Sequence, residues 1–292
     1  MGFFSRRSFL KQLCAWAFLP ILHPIGDKSR IPREFPAGIQ ASIREKGNIT
    51  DHFLGEELSY RMSALWIKQA AMGRVFFEKV EGSKIYRATI EGKTTGIIGW
   101  LTRYRRDIYT TYMEIIDGGR RLRPLRFEED IVIGKKVRKK ITLFDYARGK
   151  LIERRMNRRG VFIQTEGEVP EGVIYDDFLT AFYNFRWGVY GGIQRGRRYR
   201  VMTLPKAGLS SIDVEIATEE EEMRVRHGKG DKGGGKYEYY VTVFLDKEIT
   251  RSRTGKVKGW VSRDLVPIEG TIEDVVFVGD VHGFLIGEKR MG

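Results

Sequence analysis

Polar and apolar residues alternate along most of this chain, and that alternation limits the folds open to it more than any other feature. Leu58, Tyr60, Met62, Ala64 and Trp66 interleave with Glu57, Ser59, Arg61 and Ser63. A period of two puts the apolar set on one face of a strand and the polar set on the other. The pattern returns over 75–80, 85–90, 107–116, 125–133, 137–146, 151–156 and 161–165. It resumes over 198–204, 212–218, 222–226, 237–245, 255–262, 266–271 and 275–281. Short turns such as Glu81-Gly82-Ser83-Lys84 and Asp117-Gly118-Gly119 separate neighbours, as in an antiparallel meander. About a dozen half-buried strands bury one common face by curling. The expected fold is mainly β: a curved antiparallel sheet or partly open β-barrel.

One stretch breaks the pattern. After Asp176-Asp177, apolar residues fall at Phe178, Leu179, Phe182 and Phe185, the spacing of a helix with an acidic start. A single central helix is expected there, its apolar side against the concave face of the sheet. The run Glu219 to Glu222 reads as a solvated acidic turn.

The N-terminus carries an address. Ser5-Arg6-Arg7-Ser8-Phe9-Leu10-Lys11 precedes an apolar stretch over 13–25, interrupted by Pro20 and Pro24 and too short to span a bilayer comfortably. It resembles a twin-arginine export signal, with Arg6 and Arg7 as the pair and Phe9, Leu10 and Lys11 as the continuation. Cleavage near 26–29 and retention as an anchor are the alternatives for this segment. Residues 1–26 are read as this signal, 27–54 as a linker with one short helix near 41–46, and 55–292 as a single β-rich domain. The export machinery is then a partner, and the periplasm or cell envelope the destination. The sole cysteine, Cys14, lies inside the signal, which excludes a disulfide scaffold and a multi-cysteine metal site.

Charge is unevenly distributed. The 52 basic and 38 acidic residues leave a net charge of +14. Residues 103–159 hold 18 basic against 8 acidic side chains, contributing +10 of that excess. Lys135, Lys136, Arg138, Lys139 and Lys140, with Arg154 and Arg155, form the densest part. Strand alternation places Arg138, Lys140 and Arg154 on one outer, cationic face, if their strands are neighbours. Such a face suits lipid headgroups, lipopolysaccharide or another anionic envelope component. Export argues against nucleic acid. A generically basic surface is the plain alternative.

Catalytic patterns are sparse. Gly230-Asp231-Lys232-Gly233-Gly234-Gly235-Lys236 has the spacing of a phosphate-binding loop, but Tyr237 stands where Ser or Thr is needed and a strand follows instead of a helix. His23, His52, His227 and His282 have no ligand-spaced partners. No metal, cofactor or catalytic residue is expected. The aromatic residues Trp66, Trp100, Phe182, Trp187 and Trp260 are candidates for lining a lipid-sized pocket inside the half-barrel; filling the core is the alternative use.

Four stretches together resemble a family of exported bacterial proteins, domain of unknown function (DUF) 3108. They are Glu56-Glu57-Leu58-Ser59-Tyr60, the hairpin from Asp117 through Arg126-Phe127-Glu128, Asp176-Asp177-Phe178-Leu179-Thr180-Ala181-Phe182-Tyr183, and Trp260-Val261-Ser262-Arg263-Asp264-Leu265-Val266-Pro267-Ile268. The resemblance implies a curved antiparallel β-structure in the cell envelope and brings no reaction with it. The leading expectation is a non-enzymatic binder or carrier of a hydrophobic or anionic amphipathic ligand. The alternatives are a hydrolase or transferase acting on envelope polymer, and a structural docking module.

Overall fold

The computed structural model describes residues 47–206, 209–228, 237–276 and 278–290. The expected export signal with Arg6, Arg7, Phe9, Leu10 and Lys11, the helix expected near 41–46 and the glycine-rich loop at 230–236 lie outside these residues.

The strands form one antiparallel sheet. The first eight are β1 (Glu56–Ala64), β2 (Ile67–Lys79), β3 (Tyr86–Thr94), β4 (Arg106–Ile116), β5 (Arg121–Ile133), β6 (Lys136–Asp145), β7 (Lys150–Met156) and β8 (Phe162–Glu168). The rest are β9 (Arg198–Lys206), β10 (Leu209–Ile216), β11 (Tyr239–Phe244), β12 (Lys256–Val261), β13 (Pro267–Val275) and β14 (Gly279–Arg290). Each strand pairs with its sequence neighbours, except that β8 and β9 do not pair with each other, and β1 pairs with β14. Strands β8 and β9 are the two ends of the sheet, so it is not closed.

The gap between those ends is where the chain makes helix α3 (Phe178–Trp187; α1 and α2 are given below). This helix packs on β3, β4 and β5 from one half of the sheet and on β9 from the other. A sheet that reaches one helix from such distant strands is curled around it. Asp177 caps the helix N-terminus, and Gly188 ends it in the left-handed conformation at φ 91°.

Helix α3 is not a one-sided amphipathic helix. Leu179, Thr180, Ala181, Tyr183, Asn184, Arg186 and Trp187 are buried, whereas Phe178, Phe182 and Phe185 are half-buried. The apolar spacing foretells a helix lying on a surface with a wet back. Here the sheet covers it on several sides, so polar residues are buried as well. Phe178 touches both main apolar clusters, one centred on β1 to β7 and the other on β9 to β12.

The expectation of a single helix is corrected. Helix α1 (Ile49–Phe53), α2 (Gly96–Leu101), α4 (Glu219–Gly228) and α5 (Lys247–Thr250) are also present. Ile49 and Phe53 are fully buried in the main cluster, so the last residues of the expected linker belong to the domain. Helix α4 replaces both the solvated acidic turn and the strand expected over 222–226. Thr218 and Glu221 form a reciprocal capping box: Glu221 N donates to Thr218 Oγ1 at 3.2 Å, and Thr218 N donates to Glu221 Oε2 at 2.9 Å. Glu222 is buried, accepting from Arg195 Nε at 3.0 Å and from Tyr240 N at 3.2 Å.

Candidate functional site

Helix α3 occupies the interior of the curled sheet, the place where a ligand pocket is expected. Ala88 and Thr111, small residues opposite each other on β3 and β4, are fully buried. Thr111 is tied directly to the helix start. Asp177 Oδ1 accepts from Leu179 N at 2.9 Å and Thr180 N at 3.1 Å. Its Oδ2 accepts from the hydroxyls of Thr111 and Thr180, each at 2.7 Å.

One turn further on, Asn184 behaves like a strand residue. Its side chain accepts from Leu122 N and donates to Leu122 O, both at 2.9 Å. It also donates to Asp176 Oδ2 at 2.9 Å. Asp176 accepts from the Tyr190 hydroxyl and pairs with Arg121 at 3.4 Å. At the C-terminal turn, Arg186 makes a bidentate pair with Glu56 of β1 at 2.6 and 2.8 Å. Its guanidinium lies over Phe53 at 4.8 Å and Phe182 at 5.0 Å. These polar groups hold the helix inside the sheet, which is a structural use for each of them.

A cavity of about 40 Å³ remains near the helix start, bordered by Tyr109, Phe127, Glu129, Asp177, Phe178 and Asp246 among others. It admits a few water molecules and neither a sugar ring nor an acyl chain. Among the described residues, the central helix fills the space that the curled sheet creates, where the sequence places a lipid-sized pocket. Burial pushes Tyr109 up to about 12.

The basic stretch is also rearranged. Arg138 and Lys140 do share a face of β6, but Lys140 is 8% exposed and bridges Glu129 at 3.4 Å and Glu153 at 2.8 Å. It stands opposite Glu129 on β5 and Arg155 on β7, whereas Arg154 stands opposite Ile141. Arg154 thus faces the other way from Arg138 and Lys140, because the β6–β7 register differs by one residue from the one assumed. Lys139 bridges Asp130 at 3.3 Å, and Arg155 bridges Glu153 at 3.2 Å. Arg154 donates to Gln164 at 3.0 Å. Lys135, Lys136 and Arg138 are exposed, and among the described residues no carboxylate pairs with them.

A model of the family described as protein of unknown function (DUF3108) matches residues 59–283. The chain belongs to this family. No curated protein matches it. A crystal structure of a beta-barrel-like protein of domain of unknown function DUF1849 from Brucella abortus is similar at 10% identity, with a TM-score of 0.42. That match covers 82% of this chain and 98% of the other.

In this DUF3108 protein the five proposed pocket aromatics do not converge. Phe182 and Trp187 sit on α3 within the main cluster. Trp260 is buried elsewhere, under Arg226 of α4 at 4.8 Å and beside Tyr240 at 5.2 Å. Trp66 and Trp100 are 83% and 70% exposed. Sequence reasoning missed Glu56, Arg186, Asn184 and Thr111 as the residues that fix the helix. Glu56 and Asn184 stand within or beside the stretches that carried the family resemblance, so position gave a hint that residue chemistry did not.

Burial pushes the Asp177 carboxyl up to about 6, against the opposing pull of the Thr180 and Thr111 hydroxyls. An acid whose folded pKa exceeds its unfolded value of about 4 binds its proton more tightly when folded. Its ionisation therefore costs stability above about 6, and that cost disappears as pH falls toward about 4. Relative to Asp177→Asn, the parent should gain up to about 3 kcal/mol of unfolding free energy between pH 7 and pH 4. Urea denaturation of both proteins at the two pH values measures this. A difference that does not change with pH would contradict the account of Asp177.

Proposed function

We propose that this protein is an exported, non-enzymatic component of the cell envelope that binds an anionic amphipathic ligand on the outside of its sheet. The observation that carries this reading is the exposed cationic group at the start of β6. Lys135, Lys136 and Arg138 have no acidic partner among the described residues, while neighbouring cations are neutralised in pairs. Unpaired surface cations retain their attraction for anionic headgroups, on the order of 1 kcal/mol each. The helix-filled interior supports an outside rather than an enclosed site. The engagement of Asp176, Asp177 and Glu56 in holding α3 supports a non-enzymatic role.

Two experiments test the reading. The triple variant Lys135→Glu, Lys136→Glu, Arg138→Glu should bind vesicles of equal parts phosphatidylglycerol and phosphatidylcholine at least about tenfold more weakly than the parent. Its residual binding should lose most of its salt dependence. Equal binding by the two proteins would reduce the basic group to a solubility feature. For export, replacing Arg6 and Arg7 together by lysine should retain the precursor in the cytoplasm, because lysine lacks the planar guanidinium fork. Undiminished appearance of that variant in the periplasm would remove the twin-arginine route.

A further inference from the structure

The turns β1–β2, β3–β4 and β5–β6 leave the sheet at the same end. The first contains Leu65 and Trp66, and the second contains α2 with Tyr104 after it. Helix α2 is joined to β2 through Thr95, whose N donates to Ala70 O at 2.9 Å and whose hydroxyl donates to Gln69 O at 3.0 Å. Ile98 packs inward on Ala64 and Ala70. Ile97, Trp100 and Leu101, at i, i+3 and i+4, form the opposite face and are exposed. Leu65, Trp66 and Tyr104 are exposed as well. This end of the sheet thus carries six large apolar side chains that remain exposed among the described residues, and α2 has no charged residue.

Their setting is cationic. Gly134 N, in the β5–β6 turn, donates to Arg103 O at 3.0 Å, which places Lys135 and Lys136 beside the α2 loop. Arg103 and Arg106 are exposed, as are Lys68 and Lys93 on the adjoining strands. The segments 65–70, 92–106 and 133–138 contain no acidic residue. Leu65, Arg103 and Tyr104 also hold φ at 54°, 58° and 52°, a left-handed backbone that non-glycine residues adopt at a cost. The surface is thus formed by backbone conformations that the sequence does not favour.

Lysine and arginine border the patch on the β3 to β6 side, with Asp274 and Asp280 at the β13–β14 turn beyond β1. Exposed tryptophan and tyrosine mixed with aliphatic side chains and bordered in this way by cations is the composition of a bilayer interface contact. We infer that this end of the sheet inserts Trp66 and Trp100 into the headgroup region of an anionic bilayer, with Lys135, Lys136 and Arg103 on the lipid phosphates. This rests on the anionic-ligand reading above and names its ligand: the membrane surface itself, not a carried lipid molecule. A partner protein would be expected to complement the positive charge with carboxylates, and is the competing occupant.

The test uses the full chain with vesicles of equal parts phosphatidylglycerol and phosphatidylcholine, some carrying a spin-labelled lipid that quenches at headgroup depth. The parent and Trp66→Phe, Trp100→Phe are compared, so that their difference isolates the two rim tryptophans. That difference emission should shift to the blue and be quenched. Trp66→Ala, Trp100→Ala should bind the vesicles about tenfold more weakly with an unchanged melting temperature, since both side chains are exposed. Undiminished vesicle binding by the alanine variant, with binding lost in the triple charge variant, would overturn insertion while leaving the charge reading standing. Failure of the parent to bind anionic vesicles would overturn both.

Discussion

Replacing Tyr183 by alanine is expected to lower the unfolding free energy by about 3–5 kcal/mol. Tyr183 is fully buried in α3. Its ring meets Phe53 at 5.0 Å, Phe77 at 4.8 Å and Phe182 at 5.1 Å between centroids. Those partners come from α1, β2 and α3 itself, so the ring joins the N-terminal helix, the sheet and the central helix at one point. Truncation would leave a cavity that the surrounding strands and helices cannot fully collapse into. Urea unfolding monitored by tryptophan fluorescence measures the loss. A cost below about 1 kcal/mol would mean that α3 is not packed as described.

The second large effect is at the Glu56–Arg186 pair. Glu56→Ala should cost about 3–5 kcal/mol, because it strands a guanidinium that has almost no contact with water. Arg290, 3.6 Å from Glu56, would lose that contact and keep Glu288 at 3.6 Å. The double variant Glu56→Leu, Arg186→Met should recover at least half of that loss, since neither charge is then buried alone. The cycle therefore separates the cost of an orphaned charge from a cost of altered packing. A double variant as unstable as the single one would show that shape, not charge, explains the effect.

Most strands were legible from alternation alone, because a sheet with one buried face writes a period of two into each strand. The helix at 178–187 was legible from its spacing and its aspartate cap. Its surroundings were not. Asn184 and Arg186 read as the polar side of a surface helix, and only the closure of the sheet around them makes them buried. Lys140 misled for a related reason: its face of β6 follows from the pairing with β5 and β7, and a slip of one residue exchanges the faces. Helix α4 hid behind four glutamates, although Thr218 and Glu221 had the spacing of a capping box. Trp66 and Trp100 have the chemistry of ligand-contacting residues, but they stand exposed outside an interior that the helix fills.

The four stretches that carried the family resemblance meet around the helix. Glu56 pairs with Arg186, Leu122 binds Asn184, and Asp176 and Asp177 begin the helix. Tyr60 of the first stretch donates to the carbonyl of Pro267 in the fourth at 3.1 Å. Stretches more than a hundred residues apart in sequence thus serve one task, keeping a helix inside an incompletely closed sheet. That shared task belongs to the fold.

Native mass spectrometry of the protein purified from the cells that make it tests the proposal of an outside rather than an enclosed ligand site most directly. With a helix-filled interior and a cavity of about 40 Å³, the account predicts the mass of the bare chain once the membrane is removed. A stoichiometric lipid that stays bound through purification would contradict it and return the ligand to the inside of the sheet.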